Sequence, residues 1–309
     1  MNVRNKVLIK GAGDLASGIA LRLFRSGFDV VMTEIAVPTT VRRTVAFSPA
    51  AYLGKTVVED VEGILCDSME VVNRVLKERK IAVVVDEQAE ICGKYKPDVV
   101  VDAILAKRNL GTRITDADTV IGVGPGFTAG EDCHLVVETK RGHYLGRCIW
   151  EGTAIPNTGV PGIIGGYGLE RLIRATADGV FYGAVEIGAV VKAGDVVGYV
   201  KPEGCDGESG ANAVSGAGGI AGANAVGGAG GIAGANAVSG ADGMIPVLAQ
   251  IDGVVRGLLQ DGVPVTKGMK SGDVDPRCEV KHCFTVSDKA SAIGGGVLEG
   301  ILSHQAKIG

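Results

Sequence analysis

Between Lys6 and Val123, short β-branched runs alternate with stretches of helical spacing, and that alternation admits few architectures. The runs fall at Lys6–Lys10, 29–35, Ile81–Val85, 98–101 and Thr119–Val123. Leu15, Ile19, Ala20, Leu23 and Phe24 recur at helical spacing after the first run, and Gly27 is placed to end that helix. Asp67 or Ser68 can cap a second helix running to about Lys80. Continuous β-branched runs mark strands buried on both faces, so the reading is α/β: a Rossmann-like parallel sheet domain.

The first strand ends in GAGDLASG, residues 11–18, which matches GxGxxA at Gly11, Gly13 and Ala16. It follows a strand, opens a helix, and has an acid, Glu34, 23 residues after Gly11. In a nucleotide-binding turn, Gly11 makes the tight bend, Gly13 admits a phosphate, and the helix N-terminus attracts it. Glu34 then takes ribose hydroxyls. Asp14 complicates this, since it sits where a pyrophosphate lies; it either caps the helix or meets the ligand through a cation. Arg42 and Arg43 can clamp a phosphate. A purely structural strand–helix turn is the alternative.

Residues 122–134, GVGPGFTAGEDCH, form a glycine-rich turn at a strand's carboxyl end. Gly124 and Gly126 allow close backbone approach to a ligand. Asp132, Cys133 and His134 then stand side by side as a candidate catalytic or metal-binding group. Segments 135–138 and 144–149 read as a hairpin that can bring His143 to His134, forming with Cys133 a soft metal corner. The alternative is that Cys133 is a small buried hydrophobe. The following loop, 151–162, offers Asn157 and Thr158 to a ligand or serves as a connector.

From Asp178 the pattern becomes all-β. Asp178-Gly-Val and Asp252-Gly-Val open two related halves, each ending in a charged glycine turn, near Gly194–Asp195 and Gly272–Asp273. The halves resemble the barrel-sandwich fold of biotinyl and lipoyl domains. Met269–Lys270 superficially resembles a biotinylation site but lies inside the second half, so an unmodified barrel is expected. Between the halves stand three tandem 12-residue copies beginning GANAV, residues 210–245. They read as a low-complexity loop or a short solenoid; lack of large side chains favours the loop. Cys278, His282 and Cys283 follow at a spacing that fits no common zinc motif. A final helix spans 288–303. The expected organisation is a Rossmann-like nucleotide-binding domain with a hairpin extension (1–150), a connector (151–177), a barrel (178–280) interrupted by the insert at 204–245, and a C-terminal helix (281–309).

A length of 309 residues fits about two domains. A net charge of −4 gives no support to nucleic-acid binding. No apolar run reaches the roughly 18 residues a membrane span needs. The start MNVRNKVLIKG shows no signal peptide, and seven cysteines without CxxC spacing suit a reducing cytoplasm.

VLIKGAGDLASGIALRLFRSGFDVVMTEI, VRRTVAF, VVDAILAKRNLGT, GVGPGFTAGEDCHLVVET, RGHYLGR, PNTGVPG and GDVDPR together resemble the YqeB-type accessory proteins of selenium-dependent molybdenum hydroxylases. The resemblance runs from about Asn5 to about Leu302, apart from the repeat. In its first half the family is similar to XdhC-type maturation factors. The resemblance implies maturation: helping to equip a molybdenum hydroxylase, alongside cofactor-maturation proteins, with selenium-containing cofactor. The expected ligand bears a nucleotide, either molybdopterin cytosine dinucleotide or NAD(P), and Cys133 as a thiolate would carry or receive a chalcogen. A homo-oligomer is compatible with this. The rivals are an NAD(P)-dependent oxidoreductase acting on a small molecule or selenium species, and a non-catalytic scaffold that carries cofactor.

Overall fold

The run Lys6–Lys10 forms β1, whose Val7, Leu8 and Ile9 are wholly buried. Burial on both faces follows from its central place. In the computed structural model, which describes residues 5–157, 163–203 and 243–308, β1 lies inside a nine-stranded sheet. Helix α1 (Asp14–Arg25) returns the chain to β2 (Asp29–Glu34), parallel to β1. A short helix α2 (Ala50–Leu53) leads to β3 (Lys55–Val58) and β4 (Val61–Leu65). Ser68 caps α3 (Met69–Lys77) by accepting the Val71 N–H at 3.4 Å. Then come β5 (Ile81–Val85), α4 (Cys92–Tyr95), β6 (Val99–Asp102) and β7 (Thr119–Val123). The short strands β8 (Thr128–Ala129), β9 (Leu135–Val137), β10 (Cys148–Ile149) and β11 (Gly152–Thr153) follow.

The strand order is β10-β9-β7-β6-β1-β2-β5-β4-β3. The expected Rossmann-like parallel sheet is corrected here, because the sheet is mixed: β3 pairs antiparallel with β4, and β10 with β9. Only Glu59 and Asp60 separate β3 from β4, and so short a link can join only antiparallel strands. Glu59 takes the left-handed conformation that the turn needs, with φ 56°. No glycine, proline or asparagine marks that turn, which hid the hairpin in the sequence.

Alternate residues of β1 face different layers. Val7 and Ile9 pack with Ile19 and Leu23 of α1, whereas Leu8 packs with Val72 and Val75 of α3 and Tyr95 of α4. Helix α5 (Asp288–Ile308) returns from the far end of the sequence and lays Ile293, Val297 and Ile301 beside α1.

The β-rich half comprises β12 (Leu172–Arg174), β13 (Gly179–Gly183), β14 (Val190–Val191), β15 (Val196–Lys201), β16 (Ile245–Leu248), β17 (Gly253–Leu258), β18 (Val263–Val265) and β19 (Lys270–Asp275). They form two antiparallel sheets of four, β12-β19-β17-β14 and β16-β15-β13-β18. The biotinyl/lipoyl-like barrel is likewise corrected: two separate sheets stand in its place, one of them including β12 from before the repeated halves. Their common core holds Phe181, Val197, Val247, Val254 and Val274. The repeat, apart from residues 243–245, and Thr158 lie outside the described residues. Among the described residues no helix is long and apolar enough to cross a membrane.

Candidate ligand-binding site

The strand order reverses at β1. The chain adds β2 and β5 on one side, then β6 and β7 on the other. Open α/β sheets hold ligands outside the strands' carboxyl ends at such a reversal. A cleft of about 520 Å³ lies there, lined by Gly11, Gly13 and Asp14 from the first turn and by Glu34 from the end of β2. The opposing residues come from the β-rich half and from the start of α5, among them Arg256, Lys270 and Lys289.

Gly11 is required by the fold. Its φ is +92°, and a Cβ would stand 3.0 Å from the Ala103 carbonyl oxygen. Gly13 is different. Its backbone is extended, and the nearest atom to an added Cβ is Thr40 Oγ1 at 3.7 Å, an ordinary contact. Packing therefore does not demand glycine at 13, and the space beside it belongs to the cleft.

Asp14 opens α1, whose N-cap is Gly13 without a side-chain cap bond; Asp14 Oδ1 accepts the Leu15 N–H at 3.0 Å, and its Oδ2 lies 3.6 Å from Arg42 Nη1. Glu34 Oε2 accepts the Ala12 N–H at 3.0 Å, and Oε1 accepts the Ile35 N–H at 2.9 Å. Burial pushes its carboxyl pKa up, against the pull of these two bonds. Each oxygen retains a lone pair for a ligand hydroxyl.

The two arginines part company. Arg42 lines the cleft, donates through Nη2 to the His282 carbonyl at 3.0 Å, and leaves its buried Nε without a partner. Desolvation lowers its pKa, and Asp14 opposes this. Arg43 turns to the β-rich half, donating to the Leu258 carbonyl at 2.7 Å and to Gln260 Oε1 at 2.8 Å. It is a contact between the two halves, not a phosphate clamp.

The 122–134 loop stands apart from this cleft. Gly124 and Gly126 serve packing: an added Cβ would meet Thr139 Oγ1 at 2.8 Å and the Arg108 nitrogen at 2.6 Å, respectively. Gly126 also lines a separate cavity of about 450 Å³ with Thr128 and Asn157. Asp132 holds the loop, accepting the Thr128 N–H at 2.8 Å and Asn109 Nδ2 at 3.0 Å. Cys133 is wholly buried, and desolvation pushes its thiol up to about 11. The expected exposed thiolate is therefore corrected to a packed thiol. His134 points the other way, accepting the Val120 N–H at 2.9 Å and meeting the His304 ring at 4.4 Å. Cys133 joins the core on the α3 side of the sheet, whereas His134 meets His304 of α5, so the three do not converge. His143 packs edge-on against Tyr144 instead of reaching His134. Cys278 is exposed and Cys283 buried. Among the described residues no group of three or more His, Cys, Asp or Glu side chains is placed to hold a metal ion.

Sequence reasoning missed the opposing wall of the cleft. Arg171 and Arg256 share Asp273, with the Arg171 Nη1 contact at 3.3 Å; Arg256 also reaches Asp275 at 3.5 Å. Arg141 holds Asp288 through both terminal nitrogens, at 2.6 and 2.9 Å. Lys270 is open to the cleft yet surrounded closely enough that desolvation lowers its pKa. Desolvation also lowers Lys289, helped by Arg141. The one signal for Lys270 was its odd place inside a half-motif.

The chain resembles YqeB. It is 44% identical over 301 residues to the uncharacterized protein YqeB of Escherichia coli strain K12, a match covering 97% of this chain and 48% of that protein. The chain thus spans about half the length of the curated relative it matches. No protein-family model matches it. Solved structures overlap it only slightly. An aspartoacylase family protein from Mesorhizobium loti is 13% identical at TM-score 0.27, covering 88% of this chain and 85% of that one. A succinylglutamate desuccinylase from a Silicibacter species is 11% identical at TM-score 0.24, covering 89% and 85%. A succinylglutamate desuccinylase/aspartoacylase from Rhodobacter sphaeroides is 18% identical at TM-score 0.21, covering 41% and 29%.

The expected maturation role is corrected by these findings. The YqeB relative is described as uncharacterized, with no link to XdhC-type factors. Nothing in either comparison supports molybdenum or selenium chemistry or the Rossmann description.

Proposed function

We propose that this chain binds a phosphate-bearing small molecule of the nucleotide class in the cleft. The observation that carries the reading is the division of charge along the cleft. Glu34, Asp86 and Glu87 line it at the ends of β2 and β5, whereas six cations, Arg42, Arg141, Arg171, Arg256, Lys270 and Lys289, line it elsewhere beside two acids, Asp14 and Asp273. A nucleotide carries the matching pattern, hydroxyls to meet carboxylates and phosphates to meet cations. Gly13 and the α1 N-terminus offer the phosphate a close backbone approach. Ile35, Ile104 and Leu105 supply apolar surface for a base. NAD(P) and molybdopterin cytosine dinucleotide both share this chemistry, so the reading concerns a class of ligand.

Titration calorimetry with AMP and with NAD(P) tests it. The native chain should bind at least one of them. Gly13→Val should weaken that binding about tenfold or more, because its side chain fills the phosphate's place. Its melting temperature should hold, since the backbone at 13 is extended and a Cβ finds only an ordinary contact. Absence of binding, or unchanged affinity in the folded variant, overturns the reading.

A further inference from the structure

The cations of the cleft fall into two groups. Arg42 is paired with Asp14, Arg141 with Asp288, and Arg171 and Arg256 with Asp273. Lys270 and Lys289 line the same cleft with no hydrogen-bond or ion-pair partner among the described residues. They arrive from different elements, Lys270 opening β19 and Lys289 in the first turn of α5. Both line the cleft together with Gly13 and Asp14 at the start of α1. Arg42, only 7% exposed, leaves its Nε without a partner in the same region. A buried donor and two partly desolvated ammonium groups are costly without a counter-charge.

Ser287 adds a directional group. Its hydroxyl oxygen accepts the Ala290 N–H at 3.2 Å, so its proton is available to an acceptor in the cleft, which Ser287 also lines. The N-termini of α1 and α5 thus open into one space, and both favour negative charge.

We propose that Lys270, Lys289, Arg42 and Ser287 form a subsite for a dianionic oxyanion, supplied by a phosphate monoester or a dicarboxylate. This rests on the reading that the cleft holds an anionic ligand, and it adds a demand that a neutral or singly charged end group does not meet. Two unpaired ammonium groups match two negative charges. The subsite joins β19 to α5, so the β-rich half supplies part of the binding site.

Competitive lysine labelling on the full chain tests the subsite. The chain is acetylated near neutral pH in chloride, inorganic phosphate or malonate at equal ionic strength, and each lysine is quantified by mass spectrometry. Labelling in chloride sets the reference rate for each lysine. Phosphate or malonate should slow labelling of Lys270 and Lys289 about tenfold or more, while exposed Lys77 on α3 is unaffected. Protection by phosphate alone assigns the phosphate monoester, and protection by malonate alone the dicarboxylate; protection by both supports the shared oxyanion chemistry. Lys270→Met and Lys289→Met keep the apolar stem, so a folded variant should lose affinity for the protecting anion by a similar factor. Equal labelling in all three salts overturns the subsite. Nucleotide binding that depends on Gly13 without lysine protection leaves the proposed function standing and removes this inference. Lysine protection without Gly13-dependent nucleotide binding does the reverse.

Discussion

His134 and His304 meet ring against ring, 4.4 Å between centroids, and the Thr119 hydroxyl reaches His304 Nδ1 at 3.0 Å. Burial lowers both imidazoles below their ordinary 6.5, with His304 lowering His134 further and Lys307 lowering His304. The Val120 backbone contact, and after it Asp118, pull His134 the other way. The folded chain therefore binds fewer protons than the unfolded chain once pH drops below that ordinary value. Stability from this pair is complete above it and is lost as pH falls toward the lowered pKa values. The melting temperature should decline between about pH 7 and 5, and His304→Gln should flatten the decline. A slope unchanged by that substitution would place the sensitivity elsewhere. Cys133 makes a second test at this scale. With its thiol near 11 and no exposure, it should resist a thiol reagent at neutral pH while exposed Cys278 reacts ahead of it. Mass spectrometry of partly labelled chain would show the order. Gly11, Gly13 and Glu34 were legible in the sequence because a local spacing ties them to one turn. Lys270 and Lys289 were not, because only the tertiary fold brings residues of β19 and α5 to that turn.

Helices α1 and α5 approach closely because both carry glycines at their crossing. A Cβ on Gly18 would lie 2.6 Å from Ala290 Cβ, and one on Gly294 would lie 3.0 Å from the Gly18 carbonyl oxygen; nearby on α5, a Cβ on Gly296 would lie 1.9 Å from the carbonyl oxygen of Gly146, in the loop before β10. Backbone cannot yield there as a side-chain tip can. Gly296→Val should cost about 3 kcal/mol, the upper part of the usual range for overpacking. Urea denaturation would measure it, and a loss below about 1 kcal/mol would mean that the helix shifts freely. The sequence showed these helices well: 3.6-residue spacing is local, and Ser68 and Gly27 stand where capping requires them. The repeated Asp-Gly-Val was also readable. Asp178 accepts the Lys267 N–H at 2.7 Å, and Asp252 accepts the Ala193 N–H at 2.8 Å, the same task in each half. Strand pairing was the part that stayed hidden. β12 joins β19 across nearly a hundred residues, and no short window records such a partner.

At the scale of the whole chain, the two halves are sewn together near the cleft. Leu258 donates its N–H to the Val41 carbonyl at 2.7 Å, beside the Arg43 contacts. A ligand touching both halves should raise their melting together as one transition, which calorimetry in the presence of bound AMP or phosphate would show. Two separate transitions under those conditions would mean that the halves unfold independently. Helix α5 has a stronger hold. Ile293, Val297 and Ile301 share a core with Val7, Ile9 and Leu135, so a chain cut after residue 287 should expose that face, bind a hydrophobic dye and aggregate. A cut chain that stays monomeric and melts as before would show α5 to be dispensable. This arrangement also sets a timetable. The ribosome makes β1 and α1 well before α5, so their cover arrives only after the β-rich half has been made. Contacts between such distant segments form slowly, and until they do the nascent sheet presents a bare apolar face to its surroundings. In the interval, the newborn chain is the kind of surface that a holding chaperone recognises.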